Sequence, residues 1–227
     1  MKRKILHAAT IALIGCGVVL LNGCNKKDTT PPVVTINGAS TVHVSLNSRY
    51  YDQGASATDK VDLTDEVATD YSGTNPNVNL AGTYIIHYSA VDNAGNTGTA
   101  MRTVIVANDA QNIAGTYNVT DNIVGNNTGN TGSYTYTVSV TPSATLNNQL
   151  LLNNFSSLGA TVTVTAIVVG DTTITIAPAG QRPSGMRISG TIDGNGTIGP
   201  SNNITGFNYT VVYNVGSDNG VSVWTKQ

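Results

Sequence analysis

From Val42 onward the chain repeats one pattern, in which short runs of alternating side chains are broken by Gly, Asn or Asp. Val42, Val44 and Leu46 alternate with His43 and Ser45. Tyr84, Ile86 and Tyr88 are interleaved with Ile85 and His87, and Val104 and Val106 with Thr103 and Ile105. A period of two sends successive side chains to opposite faces of a strand, so one face of each run can be buried and the other hydrated. The interrupting residues are those that turns require. No stretch of helical period follows the first two dozen residues, and the expected fold class is all-β. Charged residues are only 11% of the chain, so neutral polar groups must keep it in solution, as in an extracellular β module.

Residues 1–24 stand apart. Lys2, Arg3 and Lys4 precede an almost wholly apolar run from Ile5 to Leu21, and Asn22, Gly23 and Cys24 close the segment. This is the layout of a secretory signal peptide. A membrane-spanning helix needs about 20 apolar residues. This run is shorter, contains His7, Thr10 and Gly15, and is followed by no stop-transfer cluster. Leu21-Asn22-Gly23-Cys24 resembles the lipobox of bacterial lipoproteins. The resemblance implies cleavage before Cys24, acylation of that residue by palmitate-type chains, and attachment to the outer membrane by lipid alone, facing the cell surface or the periplasm. Cys16 leaves with the leader, so the mature chain holds one cysteine and no internal disulfide. The polar stretch that follows Cys24, through Thr30, reads as a tether.

Cleavage leaves about 200 residues, enough for two cores. It also removes three basic residues from a chain of net charge −2. No basic patch remains, and a nucleic-acid partner is not expected. The composition changes near residue 110. Residues 28–109 hold nine acids and three bases, whereas residues 110–227 hold four acids, three bases and sixteen asparagines. A boundary is placed at Asn108-Asp109-Ala110-Gln111-Asn112. The expected organisation is a signal peptide (1–23), a tether with lipidated Cys24 (24–30), a first domain (31–107) and a second domain (113–227).

In the first domain, Thr30-Pro31-Pro32, Tyr51-Asp52-Gln53-Gly54-Ala55, Ala57-Thr58-Asp59, Gly82-Thr83-Tyr84 and Asp92-Asn93-Ala94-Gly95-Asn96 closely resemble the bacterial Ig-like domain of many surface lipoproteins and of one pesticidal crystal protein. The resemblance implies a β-sandwich of about seven short strands and little about ligand. Asp59, Asp62, Asp65, Asp92, Asn93 and Asn96 offer hard oxygen donors on two loops that a sandwich can bring to one end, and Asp59, Asp92, Asn93 and Asn96 form a candidate calcium set. Alternatively, these side chains cap their own turns, with Gly95 supplying a positive φ. Related domains often carry Asn where Lys60 stands, and "DKVDLTDE" lacks their glycine.

The second domain shows eight candidate strands, at 116–118, 134–140, 149–153, 161–169, 172–176, 186–192, 208–213 and 221–224. Their order suggests an antiparallel meander closed into a barrel or folded into a sandwich. Ala114-Gly115-Thr116-Tyr117 resembles the opening of lipocalin-like barrels. Together with "SGTIDGNGTI" it also resembles C-terminal domains of unknown function in lipoproteins of polysaccharide-utilisation systems. Asp193-Gly194-Asn195-Gly196 reads as a tight hairpin turn between Ile192 and Ile198.

The catalytic inventory is thin. Beyond the leader the histidines are His43 and His87, without Cys or Glu at ligand spacing. The second domain's acids, Asp121, Asp171, Asp193 and Asp218, read as turn residues. No enzyme is expected. For binding, Trp224 shares a face with Ser222, opposite Val221 and Val223. If the valines face the core, Trp224 faces outward as a contact residue; alternatively a bulge turns it inward, or it plugs the end of a barrel. Tyr134, Tyr136, Tyr209 and Tyr213 complete the candidate set. Three functions fit: a glycan-binding accessory that works with outer-membrane uptake proteins, a structural or adhesive protein that binds another protein, and a carrier of a small apolar ligand. They predict aromatics on an exposed face, dispersed, or lining a cavity, respectively.

Overall fold

The computed structural model describes residues 27–60, 67–183 and 190–227. The leader, Cys24, Asp62, Asp65 and the start of the strand expected at 186–192 lie outside the described residues. The chain forms two all-β units, an Ig-like sandwich and an eight-stranded barrel. Among the described residues no helix is long and apolar enough to cross a membrane.

The first unit contains β1 (Val33–Ile36), β2 (Thr41–Ser45), β3 (Ala55–Thr58), β4 (Ala68–Thr69), β5 (Gly82–Val91) and β6 (Thr97–Ala107). β1 pairs with β3 in one sheet, and the other has the order β2-β6-β5-β4, with β2 parallel to β6. Six strands are thus described where the resemblance implied about seven. The alternation read in the sequence sets the faces: Val44, Leu46, Ile86, Tyr88, Val104 and Val106 form the core, while Ile85 and His87 face outward.

One core position of β6 is a cation. Arg102 is 1% exposed and ion-paired with Asp52. Its guanidinium donates to the carbonyls of Ala39 (3.1 Å), Asn37 and Gly54. Asp52 in turn accepts from the hydroxyls of Tyr50 (2.9 Å) and Tyr88 (2.7 Å) and from the Gly54 N–H (2.9 Å). The Tyr51-Asp52-Gln53-Gly54-Ala55 stretch is therefore the counter-ion clamp of Arg102. Burying two charges costs several kcal/mol each, and only a fully hydrogen-bonded pair offsets this. Burial alone would raise the Asp52 carboxyl; the bonds from Tyr88, Tyr50 and Gly54, with the Arg102 charge, hold it below the ordinary carboxylate value.

The connector is a joint. Asn108 is buried and caps a 3₁₀ turn, Asp109–Ile113. Its amide nitrogen donates to the carbonyls of Ser143, Leu146 and Gln149 at 3.0 Å each, and its oxygen accepts from Ala110 and Asn148. The 143–148 segment also meets the first unit: Ala81 N–H donates to Ala144 (2.8 Å), and Asn47 accepts from Asn147 N–H (2.8 Å).

The barrel comprises β7 (Gly115–Asn126), β8 (Gly132–Pro142), β9 (Gln149–Asn153), β10 (Thr163–Val169), β11 (Thr173–Ile176), β12 (Gly190–Gly199), β13 (Asn203–Tyr213) and β14 (Gly216–Lys226). Each strand pairs antiparallel with the next, and β14 pairs with β7 to close the ring. Closure leaves the barrel without edges. The 3₁₀ turn plugs the end nearer the first unit, with Ala110 and Ile113 in the barrel core. The Tyr117 hydroxyl donates to the Ile113 carbonyl (2.6 Å), and Lys226 Nζ donates to the Asn112 carbonyl (2.9 Å).

The expected hairpin at Asp193-Gly194-Asn195-Gly196 is a correction. These residues run through the middle of β12, and the chain reverses at 200–202, where Asn202 adopts a φ of 53°. Gly194 and Gly196 are present because of close approach: a Cβ on Gly194 would lie 2.6 Å from Tyr209 Cβ, and one on Gly196 would lie 2.9 Å from the Phe207 ring.

Asp52→Asn leaves a buried guanidinium without its counter-ion, and the first unit should lose about 3–5 kcal/mol in denaturant unfolding. Because the folded Asp52 value is depressed, its contribution is present above about pH 4 and is lost as pH falls through the folded value. The variant should therefore show a shallower acid-unfolding limb than the parent.

Candidate functional site

The barrel interior sorts the predicted aromatic residues into three places. Trp224 is 3% exposed, so of its two alternative orientations the inward one is found, and the contact role that required an outward face is corrected. Ser222 and Trp224 face inward, and Val221 and Val223 face solvent. The Trp224 ring lies 5.6 Å from Tyr117, 5.8 Å from Phe155 and 5.3 Å from Phe207. Its indole N–H donates to the Ser222 hydroxyl (2.8 Å). A large ring with a satisfied N–H is most stable in the ring-lined interior, whereas valines tolerate the outer wall, where Asn122 and Asn208 flank Val221.

Tyr209 and Tyr136 meet deeper in the barrel, at Asp121. This carboxylate is 0% exposed at an inward position of β7, not in a turn. Tyr136 donates to its Oδ2 (2.9 Å), Tyr209 donates to the same oxygen, and Ser156 bonds the Tyr209 hydroxyl (2.7 Å). Asp121 Oδ1 is buried without a partner. Burial raises the Asp121 carboxyl, and the Tyr209 and Tyr136 hydroxyls offset this only in part. Burial likewise pushes both tyrosines upward.

Tyr213 and Tyr134 reach the end opposite the 3₁₀ plug. There Thr128, Asn130, Tyr213, Val215 and Asp218 line a cavity of about 290 Å³. Asp218 is 2% exposed and lies within β14, also not in a turn. Its Oδ1 accepts from Thr128 (2.5 Å) and its Oδ2 from the Asn130 amide (2.8 Å), while Asn130 Oδ1 accepts from Tyr134 (3.0 Å). Burial, reinforced by the Asp218 carboxylate, pushes Tyr213 up to about 12. The arrangement holds a fixed carboxyl group, an amide, hydroxyls and an aromatic ring at one opening. It suits a neutral ligand that donates hydrogen bonds and carries an apolar face. Strand parity could have placed Asp121 inside, since it alternates in step with Tyr117, Val119 and Ile123; Asp218 has only Gly216 and Gly220 at that spacing and carried no such signal.

The Ig-like unit carries two further cavities, of about 480 and 190 Å³, on either side of residues 48–51. Tyr50 and Arg102 in their walls are already committed to the Asp52 clamp.

At one end of the sandwich the carboxylates of Asp28, Asp59 and Asp92 converge, with one ligand atom from each within 4.8 Å of the others. Asp92 is buried. Its Oδ1 accepts from the N–H groups of Ala94 (2.9 Å) and Asn96 (2.8 Å), and its Oδ2 accepts from the Asn96 amide (2.7 Å). Burial opposes ionisation of Asp92, but these bonds outweigh it and hold the carboxyl low. Compared with the candidate calcium set, the structure keeps Asp59 and Asp92 together and adds Asp28 from the tether. Asn93 is exposed on the turn. Asn96 uses its amide to join Asp92 to the Asp28 carbonyl (3.2 Å). Asp28 carried no short-range signal, because it lies 31 residues before Asp59.

The fold is that of a surface-protein Ig-like module followed by a meander barrel. Residues 34–106 match the family described as the bacterial surface protein Ig-like domain, and this part of the chain is such a domain, characteristic of a surface or membrane-associated bacterial protein. Similar solved structures include a lipoprotein of Bacteroides thetaiotaomicron, at 17% identity over 86% of this chain and 100% of that one, with a TM-score of 0.37. Another is a protein of unknown function from Bacteroides ovatus, at 10% identity over 86% and 95%, with a TM-score of 0.26. None of the curated protein sequences matches this chain.

Two outcomes follow from the barrel interior. Trp224→Ala opens a cavity among packed rings and should cost about 3–5 kcal/mol in chemical denaturation. Asp121→Asn tests the buried acid. Its folded value lies above the unfolded one near 3.9, so its contribution is greatest below about pH 4 and declines as pH rises through the folded value. The parent barrel should therefore lose more thermal stability between about pH 4 and about pH 8 than the variant does.

Proposed function

We propose that the protein is a non-catalytic lipoprotein, anchored at the outer membrane through Cys24, whose Ig-like domain spaces the barrel from the membrane and whose barrel mouth binds the end of a glycan chain as part of a polysaccharide-uptake system. The anchor is supported by the lipobox-like Leu21-Asn22-Gly23-Cys24 stretch. The spacer role is supported by the Asn108 joint and by the plug, which together leave the open mouth on the side of the barrel away from the sandwich.

The observation that carries the binding reading is Asp218, a nearly buried carboxylate fixed by Thr128 and Asn130 beside Tyr213 and Val215. Sugar hydroxyls donate to such a carboxylate, and the apolar face of a pyranose packs on such a ring. The cavity has the dimensions of one or two sugar units, which favours recognition of a chain end over a long flat platform. The rings of Phe155, Phe207 and Trp224 pack against one another inside the barrel, where an apolar carrier would hold its ligand.

Affinity electrophoresis of the whole protein through plant and host polysaccharides should show retardation by at least one of them. Hydrogen bonds to charged groups are worth about 1.5–3 kcal/mol, so Asp218→Asn should weaken binding about tenfold or more, and Tyr213→Ala should weaken it as well. Retardation that survives both substitutions, or none across the panel, would defeat the reading.

A further inference from the structure

We propose that Asp28, Asp59 and Asp92 form a calcium site that fastens the tether to the Ig-like domain. The inference is independent of what the barrel mouth binds. Three carboxylates from three separate segments, one oxygen from each, lie within 4.8 Å of one another, and a cation between them would offset the repulsion of like charges this close. Among the described residues the ion pairs are His87 with Asp70 and Arg102 with Asp52. Neither reaches this cluster, although Lys27 and Lys60 adjoin two of its members in sequence.

A second observation points to a ligand. Asp59 Oδ2 is fully buried and has no hydrogen-bond partner. A buried carboxylate oxygen left unpaired is costly, and a cation bound by the three carboxylates would satisfy it.

Donor atoms within 4.8 Å of one another can share one cation at calcium–oxygen bond lengths of about 2.3–2.6 Å, and calcium accepts irregular all-protein oxygen sets, whereas magnesium demands near-ideal octahedral geometry and keeps several waters. The donors are all hard oxygens, which suit calcium rather than zinc or copper. Asn96 completes the frame by donating to both the Asp92 carboxylate and the Asp28 carbonyl. The bound ion would cross-link the segment preceding β1 to the loop after β3 and to the β5–β6 turn, stiffening the point where the tether enters the domain.

Calorimetric titration of the whole protein, solubilised in detergent and stripped with EDTA, with calcium chloride tests the site. The expected result is saturable binding of one equivalent, with a dissociation constant on the order of 0.1–1 mM, as in extracellular calcium modules, and no saturation by magnesium at the same concentrations. Asp59→Asn should weaken binding at least tenfold. Asp28→Asn, which changes a residue outside the strands, should do the same with an unchanged circular dichroism spectrum. Absence of saturable calcium binding up to about ten times that constant, equal binding of magnesium, or parental affinity in the folded Asp28→Asn protein would overturn the proposal.

Discussion

Closure of eight strands into a ring leaves an interior only wide enough for side chains, and the second half of the chain is organised around filling that fixed volume. Rings supply the bulk and glycines make room for them. A Cβ on Gly220 would lie 2.1 Å from the Tyr209 ring, and Gly194 and Gly196 serve the same purpose from β12, on the other side of β13. This packing decides that Trp224 faces inward and Val223 outward. It also leaves the outer wall to Asn, Thr and scattered Val.

The first half is organised around a charge. Arg102 occupies a core position of β6 and is tolerated because Asp52, Tyr50, Tyr88 and three backbone carbonyls surround it. The clamp draws the 50–54 segment across the sandwich. The two halves then meet through amides. Asn108 and Asn47 bond backbone groups of the 143–148 segment, so the joint is hydrogen-bonded on both sides and not a free linker. A fixed joint and a plugged barrel base leave the far mouth as the open end, and this geometry gives the proposed spacer-and-binder arrangement its physical sense.

The candidate site was partly legible from the residues. Tyr134 and Tyr213 do reach the mouth, but the carboxylate that organises it, Asp218, was read as a turn residue because it stands among Gly, Ser and Asn. Asp121 was misread for the same reason. Local composition suggested loops, while closure extended β7 and β14 through both positions. Asp59 and Asp92 were recognisable as oxygen donors, yet Asp28 joins them only because the tether runs back along the sandwich.

The sequence by itself determined the all-β class, the Ig-like module, the alternation of buried and exposed faces in β5 and the change of character near residue 110. These follow from side-chain period and short-range turn chemistry, which are local. Only the tertiary structure decided which face of β14 is inside, that Asp193-Gly194-Asn195-Gly196 is strand, that Asp52 answers Arg102, and that Asp28 meets Asp59 and Asp92. Each of these depends on a partner distant in the chain. A period of two says that two faces differ, but only the element packed against a strand says which of them is buried.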